Sequence, residues 1–223
     1  GYAGGAGVLV LGLCLGMKPG NIPWDVIMII GSVIAAISAM QLAGGLEYLV
    51  YIAEKILYKN PKYINYLAPI VTYVLTIFAG TGHTAFSMIP VIVEVAKGEN
   101  IRPSVPLSMS VVSSQVAITA SPVSAAAIFM TGALEPFGWS YPTLLGIWIL
   151  TTFVGCMLTA FIMTHISKLD LSSDPIYQER LKEGLVKPPV GLQEMVITPT
   201  AKLSVWIFLV GVLCVVAYAS AIS

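Results

Sequence analysis

The chain has 223 residues, of which 57% are hydrophobic and 10% are charged, and its formal net charge is zero. A soluble domain carries about 25% charged residues, so this composition indicates an integral membrane protein, and the neutral balance gives no reason to expect nucleic acid as a partner. Cys14, Cys156 and Cys214 are widely spaced and His83 and His165 stand alone, which excludes a redox cysteine pair and a multi-histidine metal site.

The first part of the chain predicts two membrane helices joined by a turn. Residues 3–17 form an apolar run rich in glycine. The chain starts just before it, at Gly1, without a methionine or a basic leader. We therefore interpret this run as part of a cropped helix and the chain as a fragment. After a turn at 18–21, residues 25–43 are long enough to cross a bilayer, which needs about 20 apolar residues, and Trp24 lies at the edge of the span as an interfacial anchor.

The next segment, residues 46–59, differs from the first two. Glu47, Glu54 and Lys55 interrupt its apolar sequence, and three tyrosines supply amphipathic rings. This pattern favours a helix that lies in the membrane interface rather than one that crosses. We expect the three charged side chains to form its solvated face.

Two short apolar segments, 67–79 and 85–96, flank the sequence GTGHT at 80–84. At 1.5 Å per residue each is about 18–20 Å long, shorter than the ~30 Å hydrocarbon core. We therefore predict a re-entrant hairpin that enters and leaves on one side. Two short crossings have the same topology and remain the alternative.

Residues 106–134 form one long apolar stretch that is broken near Ser121, and basic residues indicate how it crosses. A single crossing puts ten of the eleven lysines and arginines on one side, whereas a second hairpin divides them five against six. The positive-inside rule favours the single crossing. The basic loops then lie in the cytoplasm, at 55–62, 97–102 and 168–202.

The remainder of the chain predicts two ordinary membrane spans, at 141–164 and 202–222, separated by a polar loop at 168–201. Within this loop Ser173-Asp174-Pro175 is typical of a helix start, because a short acceptor side chain is followed by proline at the first helical position.

The break near Ser121 has the composition of a helix start. Ser121 is a suitable N-cap, Pro122 suits the first helical position, and Ser124 follows in the first turn. These residues predict a half-helix that begins at Ser121, about halfway through the membrane. Its free N–H groups and positive dipole end can bind a carboxylate without a charged side chain.

The GTGHT break predicts a second helix start that faces the first. Gly80 and Gly82 allow a sharp turn, Thr81 or Thr84 can cap the following helix, and His83 adds a donor or a titratable group. Broken helices close together in sequence are a pointer to a transporter binding site. The candidate substrate-binding residues are Thr81, Gly82, His83, Thr84, Gln115, Thr119, Ser121, Pro122 and Ser124.

Each of these polar residues also has a purely structural explanation. Serine and threonine in membrane helices, such as Ser113 and Ser114, commonly bond to their own backbone. Pro122 can simply kink a helix, and His83 can be a neutral donor at a turn. A catalytic set of paired acids or metal ligands is missing from the sequence, so we predict transport without an enzymatic step and without an organic cofactor.

Three long stretches resemble the Dcu family of bacterial anaerobic four-carbon dicarboxylate transporters. They are residues 18–50 (starting KPGNIPWD), 67–130 (including FAGTGHTAFSMIPVIVEVAKG) and 172–186 (SSDPIYQERLKEGLV). The resemblance implies an inner-membrane carrier that exchanges fumarate, malate, aspartate and succinate during anaerobic respiration. It also implies an elevator-like mechanism and an inverted repeat, with one hairpin and one broken helix in each half.

Only one hairpin and one broken helix are found in this chain, so we predict an all-α membrane protein that is one half of an inverted-repeat secondary transporter. The expected partners are small dicarboxylates, the lipid bilayer, the missing C-terminal half of the carrier, and a second copy in a homodimer. An anion channel and an inactive structural half are the alternatives. The predicted parts are membrane helices at 1–45, 141–165 and 202–223, an interfacial helix at 46–62, a transport region at 63–140 and a cytoplasmic loop at 166–201.

Overall fold

The computed structural model describes residues 2–16, 24–167, 169–186 and 197–222, and within these ranges the chain is helical with no β-strand. This confirms the all-α prediction. The turn predicted at 18–21 lies outside the described residues. The described helices are α1 (Tyr2–Leu15), α2 (Trp24–Leu42), α3 (Gly45–Lys59), α4 (Ile64–Ala79), α5 (Thr84–Gly98), α6 (Ser104–Ala117), α7 (Ala125–Leu134), α8 (Tyr141–Ile166), α9 (Pro175–Lys182) and α10 (Pro199–Ile222).

By length and composition, two described helical stretches can cross a membrane: Pro61–Ala79, with 19 residues, and α8, with 26. A third is possible if the bent pair Gly31–Leu42 and Gly45–Lys59 forms one span, with a bend of 68°. The first arm of the predicted hairpin is therefore longer than expected, at about 28 Å. Its length no longer distinguishes a re-entrant arm from a crossing.

The main hydrophobic core joins α3, α4 and α5. Leu57, Ile64, Ala68, Met88 and Ile92 are completely buried in it. The hairpin formed by α4 and α5 is thus held together by its own apolar contacts, with α3 covering one face. Between membrane helices such side chains stabilise the fold by close van der Waals packing rather than by removal from water, so this core gives the hairpin region a defined shape.

The prediction that Glu54 lies on a solvated face of α3 is wrong. Glu54 is only 5% exposed, whereas Glu47 and Lys55 are exposed as predicted. The reason is helical spacing: Val50, Glu54 and Leu57 follow one another at intervals of four and three, so they share the face that packs against α4 and α5.

The corner between α2 and α3 depends on two glycines. Gly44 has a φ of +82°, a region that glycine adopts without the steric cost paid by other residues. A Cβ on Gly45 would lie 2.9 Å from the Met40 carbonyl oxygen and 2.9 Å from Ser204 Oγ. Close backbone approach at this corner therefore lets α3 fold back between α2 and α10 on one side and the hairpin on the other.

A second core joins α4, α6 and α8 around Tyr73. The Tyr73 hydroxyl donates to the Ile149 carbonyl at 3.1 Å and lies 2.8 Å from Thr152 Oγ1. Its ring packs edge-on against Phe153, with ring centroids 5.4 Å apart. Because the hydroxyl is satisfied, this large ring is buried without leaving an unpaired polar group.

The chain from 105 to 122 runs antiparallel to α8. Val105 packs with Ala160 in one cluster, and Ala117 packs with Cys156 in another. At the far end the Tyr141 hydroxyl donates to the Pro122 carbonyl at 2.7 Å. These contacts hold the chain up to the second break against α8 along most of the length of α8.

Two polar segments meet at one end of the bundle, the connection after α5 and the segment after α8. Arg102 N–H donates to the Leu169 carbonyl at 2.6 Å, Leu171 N–H donates to the Asn100 carbonyl at 2.8 Å, and Arg102 forms an ion pair with Asp174. The predicted helix start at 173–175 is confirmed. Asp174 is the N-cap of α9, which begins at Pro175.

Acidification is expected to release the segment that carries α9. Partial desolvation raises the pKa of Asp174, but hydrogen bonds from the Tyr177 and Ile176 N–H groups and the Arg102 guanidinium outweigh it, so the pKa is lowered. A carboxylate with a lowered pKa stabilises the folded state above its unfolded pKa, and this contribution is lost as pH falls through the folded value. Hydrogen exchange of residues 169–186 should therefore accelerate, after correction for intrinsic rates, below about pH 4.

Asp174→Asn is the matched variant for this experiment. It removes the charge at every pH, so the segment should exchange rapidly at neutral pH as well. The control is Glu179→Gln, because Glu179 is exposed on the same helix and its loss should leave exchange unchanged. Slow exchange in Asp174→Asn at neutral pH would show that the ion pair does not hold α9.

Candidate functional site at the two helix breaks

The first break brings the hairpin tip against the second break. Gly80 ends α4 with a φ of +65°, which favours glycine. A Cβ on Gly80 would lie 3.0 Å from Val123 Cγ2 and 3.2 Å from the Val123 carbonyl oxygen. The absence of a side chain at Gly80 thus allows the two breaks to pack directly on each other.

The prediction that Thr81 or Thr84 caps α5 is wrong. The residue before α5 is His83, and no side chain caps the helix. Thr84 Oγ1 instead lies 2.8 Å from Thr76 Oγ1 and donates to the Thr81 carbonyl at 3.2 Å. These contacts tie the end of α4 to the start of α5, because they join the two arms on either side of the turn.

The turn contains backbone N–H groups without a hydrogen-bond acceptor. Thr81 Oγ1 accepts the His83 N–H at 3.4 Å, and the N–H groups of Ala85 and Phe86 donate within the turn. Within the described part of the chain, the N–H groups of Thr81 and Gly82 have no acceptor. Unpaired N–H groups at a glycine-containing turn are suited to bind an anion.

The second break differs from its prediction in where the new helix begins. Ser121 is fully buried, donates to the Ile77 carbonyl at 2.6 Å and accepts the Val123 N–H at 3.4 Å. Helix α7 begins at Ala125, and Ser124 is its N-cap, which accepts the Ala127 N–H at 3.1 Å. The predicted helix start at Ser121 is therefore wrong, because Ser121 lies in a turn and the helix begins after it.

Pro122 likewise lies in the turn before α7 rather than at its first helical position. Ser124 has the extended backbone that an N-cap requires, with φ −83° and ψ 142°. The Pro122 carbonyl accepts the Tyr141 hydroxyl, so α8 anchors this turn from the other side.

Gln115 connects α6 to the hairpin tip. A Cβ on Gly82 would lie 2.4 Å from Gln115 Nε2, so the Gln115 amide rests directly on the glycine. Gln115 and Thr119 are exposed and lie one helical turn apart. Thr119 lies in the turn after α6, and its Oγ1 donates to the Val116 carbonyl at 2.8 Å, which is the structural role common for threonine in membrane helices.

The predicted site residues divide into two groups by burial. Thr84, Ser121 and Ser124 are buried and bonded within the protein, so they hold the breaks in shape. The polar side chains that reach the surface of this junction are those of Thr81, His83, Gln115 and Thr119.

Sequence reasoning missed Thr76 and Tyr141, which bond to Thr84 and Pro122. No local pattern identifies them, because their partners are 8 and 19 residues away. The structural explanation of Ser114 is confirmed, since its hydroxyl donates to the Val111 carbonyl at 2.8 Å. Ser113 Oγ is buried without a partner among the described residues.

An apolar cavity of about 790 Å³ lies beside the junction, against α2, α7 and α10. Pro122, Val123 and Tyr141 form part of its wall, and Glu135 is the one charged side chain on it. Since no lysine or arginine among the described residues lines this cavity and Glu135 would repel a dianion, it is a poor dicarboxylate site.

The sequence matches the family described as anaerobic C4-dicarboxylate membrane transporter (DcuA and DcuB) over residues 1–223. It is similar to C4-dicarboxylate transporters DcuA from Helicobacter pylori strain J99, at 66% identity over the whole chain, and Wolinella succinogenes, at 64%. The DcuA protein of Escherichia coli K12 is 56% identical over 98% of the chain. The chain spans about half the length of these relatives. No solved structure matches it. The chain therefore belongs to the DcuA/DcuB family of membrane transporters, which are not enzymes.

Proposed function

We propose that the complete carrier containing this chain exchanges four-carbon dicarboxylates, such as fumarate, malate, aspartate and succinate, across the bacterial inner membrane. The observation that carries the proposal is the family match over all 223 residues, with relatives named C4-dicarboxylate transporters at 56–66% identity. The contact between the hairpin tip and the second break supports it, because paired helix breaks are a common form of transporter binding site.

We propose that one carboxylate of the substrate binds at the junction of the two breaks. The unpaired N–H groups of Thr81 and Gly82 are its backbone donors, and the side chains of Thr81, His83 and Gln115 add further donors. Neutral donors stabilise an anion without fixing it by full charge pairing, which suits a carrier that must release its substrate. The second carboxylate is expected to bind residues in the other half of the relatives' length.

We also propose that α3 is the arm between a scaffold and a moving transport region. Helix α3 packs against α2 and α10 and also against α4 and α5. Its junction with α2 contains Gly44 and Gly45, whose backbone geometry permits the 68° bend. An elevator-like exchange would move α4 to α7 relative to α2 and α10, with the basic loops on the cytoplasmic side.

Counterflow in proteoliposomes tests this function on a carrier of the relatives' full length. Vesicles loaded with unlabelled succinate, without an ion gradient, should transiently accumulate labelled fumarate from outside. The accumulation should require internal dicarboxylate, since an exchanger returns to its outward state with a bound substrate. Vesicles without internal substrate are the control.

Other counterflow results would indicate a channel, a uniporter or a protein that does not transport dicarboxylates. Equal entry into empty vesicles would indicate a channel or a uniporter rather than an exchanger. No entry in either case, with the protein correctly inserted, would contradict dicarboxylate transport by this protein. A vesicle containing only the 223-residue chain tests whether this half has any activity alone.

A further inference from the structure

A basic groove lies on the face of α3 that points away from the hairpin. It has a volume of about 540 Å³ and is formed by α3 together with Ile197 and the first turn of α10. Three of its lining residues are lysines, Lys55, Lys59 and Lys202. It is separate from the two helix breaks, and the proposed dicarboxylate site does not use it.

Among the described residues, no carboxylate lines the groove with the three ammonium groups. Within the described residues none of these lysines forms an ion pair. The acidic side chains of α3 are Glu47 and Glu54, and neither lines the groove. Glu54 is buried on the opposite face of α3, so the described lining of the groove carries an excess of positive charge.

Beside the lysines, the groove is lined by tyrosine and isoleucine side chains, which suit the apolar part of an amphipathic molecule. Lys202 Nζ lies 5.9 Å from the centre of the Tyr48 ring, and Tyr51 also lines the groove. Lys202 is in the first turn of α10, where the helix dipole adds positive potential. Ile52 and Ile56, which are 38% and 41% exposed, lie between the lysines on the same face of α3.

We propose that this groove binds the headgroup of an anionic phospholipid. The phosphate would lie among Lys55, Lys59 and Lys202, and the acyl chains would run over Ile52 and Ile56. Basic pockets between membrane helices recognise anionic headgroups in this way, and tyrosine rings are common at the same depth. A water-soluble anion would meet the same charges but would leave the two isoleucines uncovered, so the apolar part of the groove favours a lipid.

Because of the position of the groove, a bound lipid would affect the packing between α3 and α10. It joins the outer face of α3 to the start of α10, and α3 is also the helix that packs on the hairpin. A bound headgroup would offset the repulsion among three cations and hold α3 against α10. The lipid therefore stabilises the corner between these helices.

The experiment measures binding of fluorescent phosphatidylglycerol and phosphatidylcholine to the purified full-length carrier in detergent. Phosphatidylglycerol should bind at least about tenfold more tightly than phosphatidylcholine, since each basic residue contributes to the affinity. The triple variant Lys55→Gln, Lys59→Gln, Lys202→Gln should lose this preference. Replacement of the same three lysines by arginine should restore it, because the charge is kept.

A control with the same change in net charge is Lys62→Gln, Arg180→Gln, Lys182→Gln, three exposed basic residues outside the groove. It should keep the preference for phosphatidylglycerol. Equal affinity for both lipids in the wild type, or an equal loss in both triple variants, would overturn the proposal. Complete displacement of phosphatidylglycerol by inorganic phosphate would identify a site for free anions and would overturn it as well.

Discussion

Replacing Thr81 with leucine is expected to abolish dicarboxylate exchange while the carrier stays folded in the membrane. Thr81 is half-buried at the hairpin tip, next to the N–H groups proposed to meet a carboxylate, so leucine removes a hydroxyl and blocks the approach. A lost hydrogen bond to a charged group costs about 1.5–3 kcal/mol, or about 10- to 150-fold in affinity, and the steric block adds to this. Counterflow of labelled fumarate measures the loss.

The matched control for this variant is Thr151→Leu. Thr151 is exposed on α8 and donates to the Ile147 carbonyl of its own helix at 2.7 Å, so the larger side chain should leave exchange unchanged. Normal exchange by Thr81→Leu would remove the hairpin tip from the site. Loss in both variants would indicate a general effect of added bulk.

Ser121 needs a different substitution because it is completely buried. A bulky side chain there would break the packing between the two breaks, and lost uptake would then report misfolding rather than lost binding. Ser121→Ala removes only the hydroxyl that donates to the Ile77 carbonyl. Ser113→Ala is its control, since the Ser113 hydroxyl has no partner among the described residues.

Gly80→Ala is expected to give the largest loss of stability among single methyl additions at the hairpin tip. Alanine in the left-handed region costs about 1–2 kcal/mol, and Gly80 has a φ of +65°. The new methyl group would also crowd the Val123 side chain and carbonyl, for which overpacking adds about 1–3 kcal/mol. Equilibrium unfolding in mixed detergent, followed by helical circular dichroism, measures the change in free energy.

Two glycines serve as controls for this prediction. Gly155 lies within α8 with open space around its Cβ position, so Gly155→Ala should be neutral or stabilise by about 0.5–1 kcal/mol. Gly82→Ala should cost little stability, because the atom it meets belongs to the flexible, exposed Gln115 side chain. If Gly80→Ala unfolds like the wild type, the close packing of the two breaks is not present in solution.

The helix breaks could be found from sequence because they depend on residues with special backbone properties. Gly80 and Pro122 interrupt apolar runs together with neighbouring glycine, threonine or serine, and such clusters favour a turn. A single proline is not enough, because α4 continues through Pro69. The end of α4 therefore lies where the pattern places it. The helix start at Asp174 was also predictable, since its cap and the following proline are adjacent in sequence.

The start of α7 could not be predicted in the same way. Ser121 and Ser124 are both good N-cap residues, and local sequence favours the one followed by proline. In the structure Ser121 lies in the turn, where its hydroxyl donates to the Ile77 carbonyl, 44 residues away, and Ser124 has the extended backbone of an N-cap. Neither property can be recognised from the neighbouring residues, so the structure was needed to assign the cap to Ser124.

The burial of Glu54 likewise could not be predicted from local sequence. A charged residue in an amphipathic helix predicts a solvated face, but Glu54 shares its face with Val50 and Leu57 and is covered by the hairpin. The residue type and the helical phase give opposite predictions, and apolar packing decided between them.

An all-helical membrane protein of the DcuA/DcuB family with two closely spaced helix breaks could be recognised from the amino-acid sequence alone. The helical membrane character and the two breaks follow from composition, from helical periodicity and from residues that constrain their own backbone, whereas the family follows from the long stretches that resemble it. The tertiary structure decided which hydroxyls close the breaks, which polar side chains remain accessible at their junction, and which charges of α3 line a groove. Each of these depends on groups far apart in the chain, since a hydrogen bond or a buried face is defined by the partner that packing brings to it.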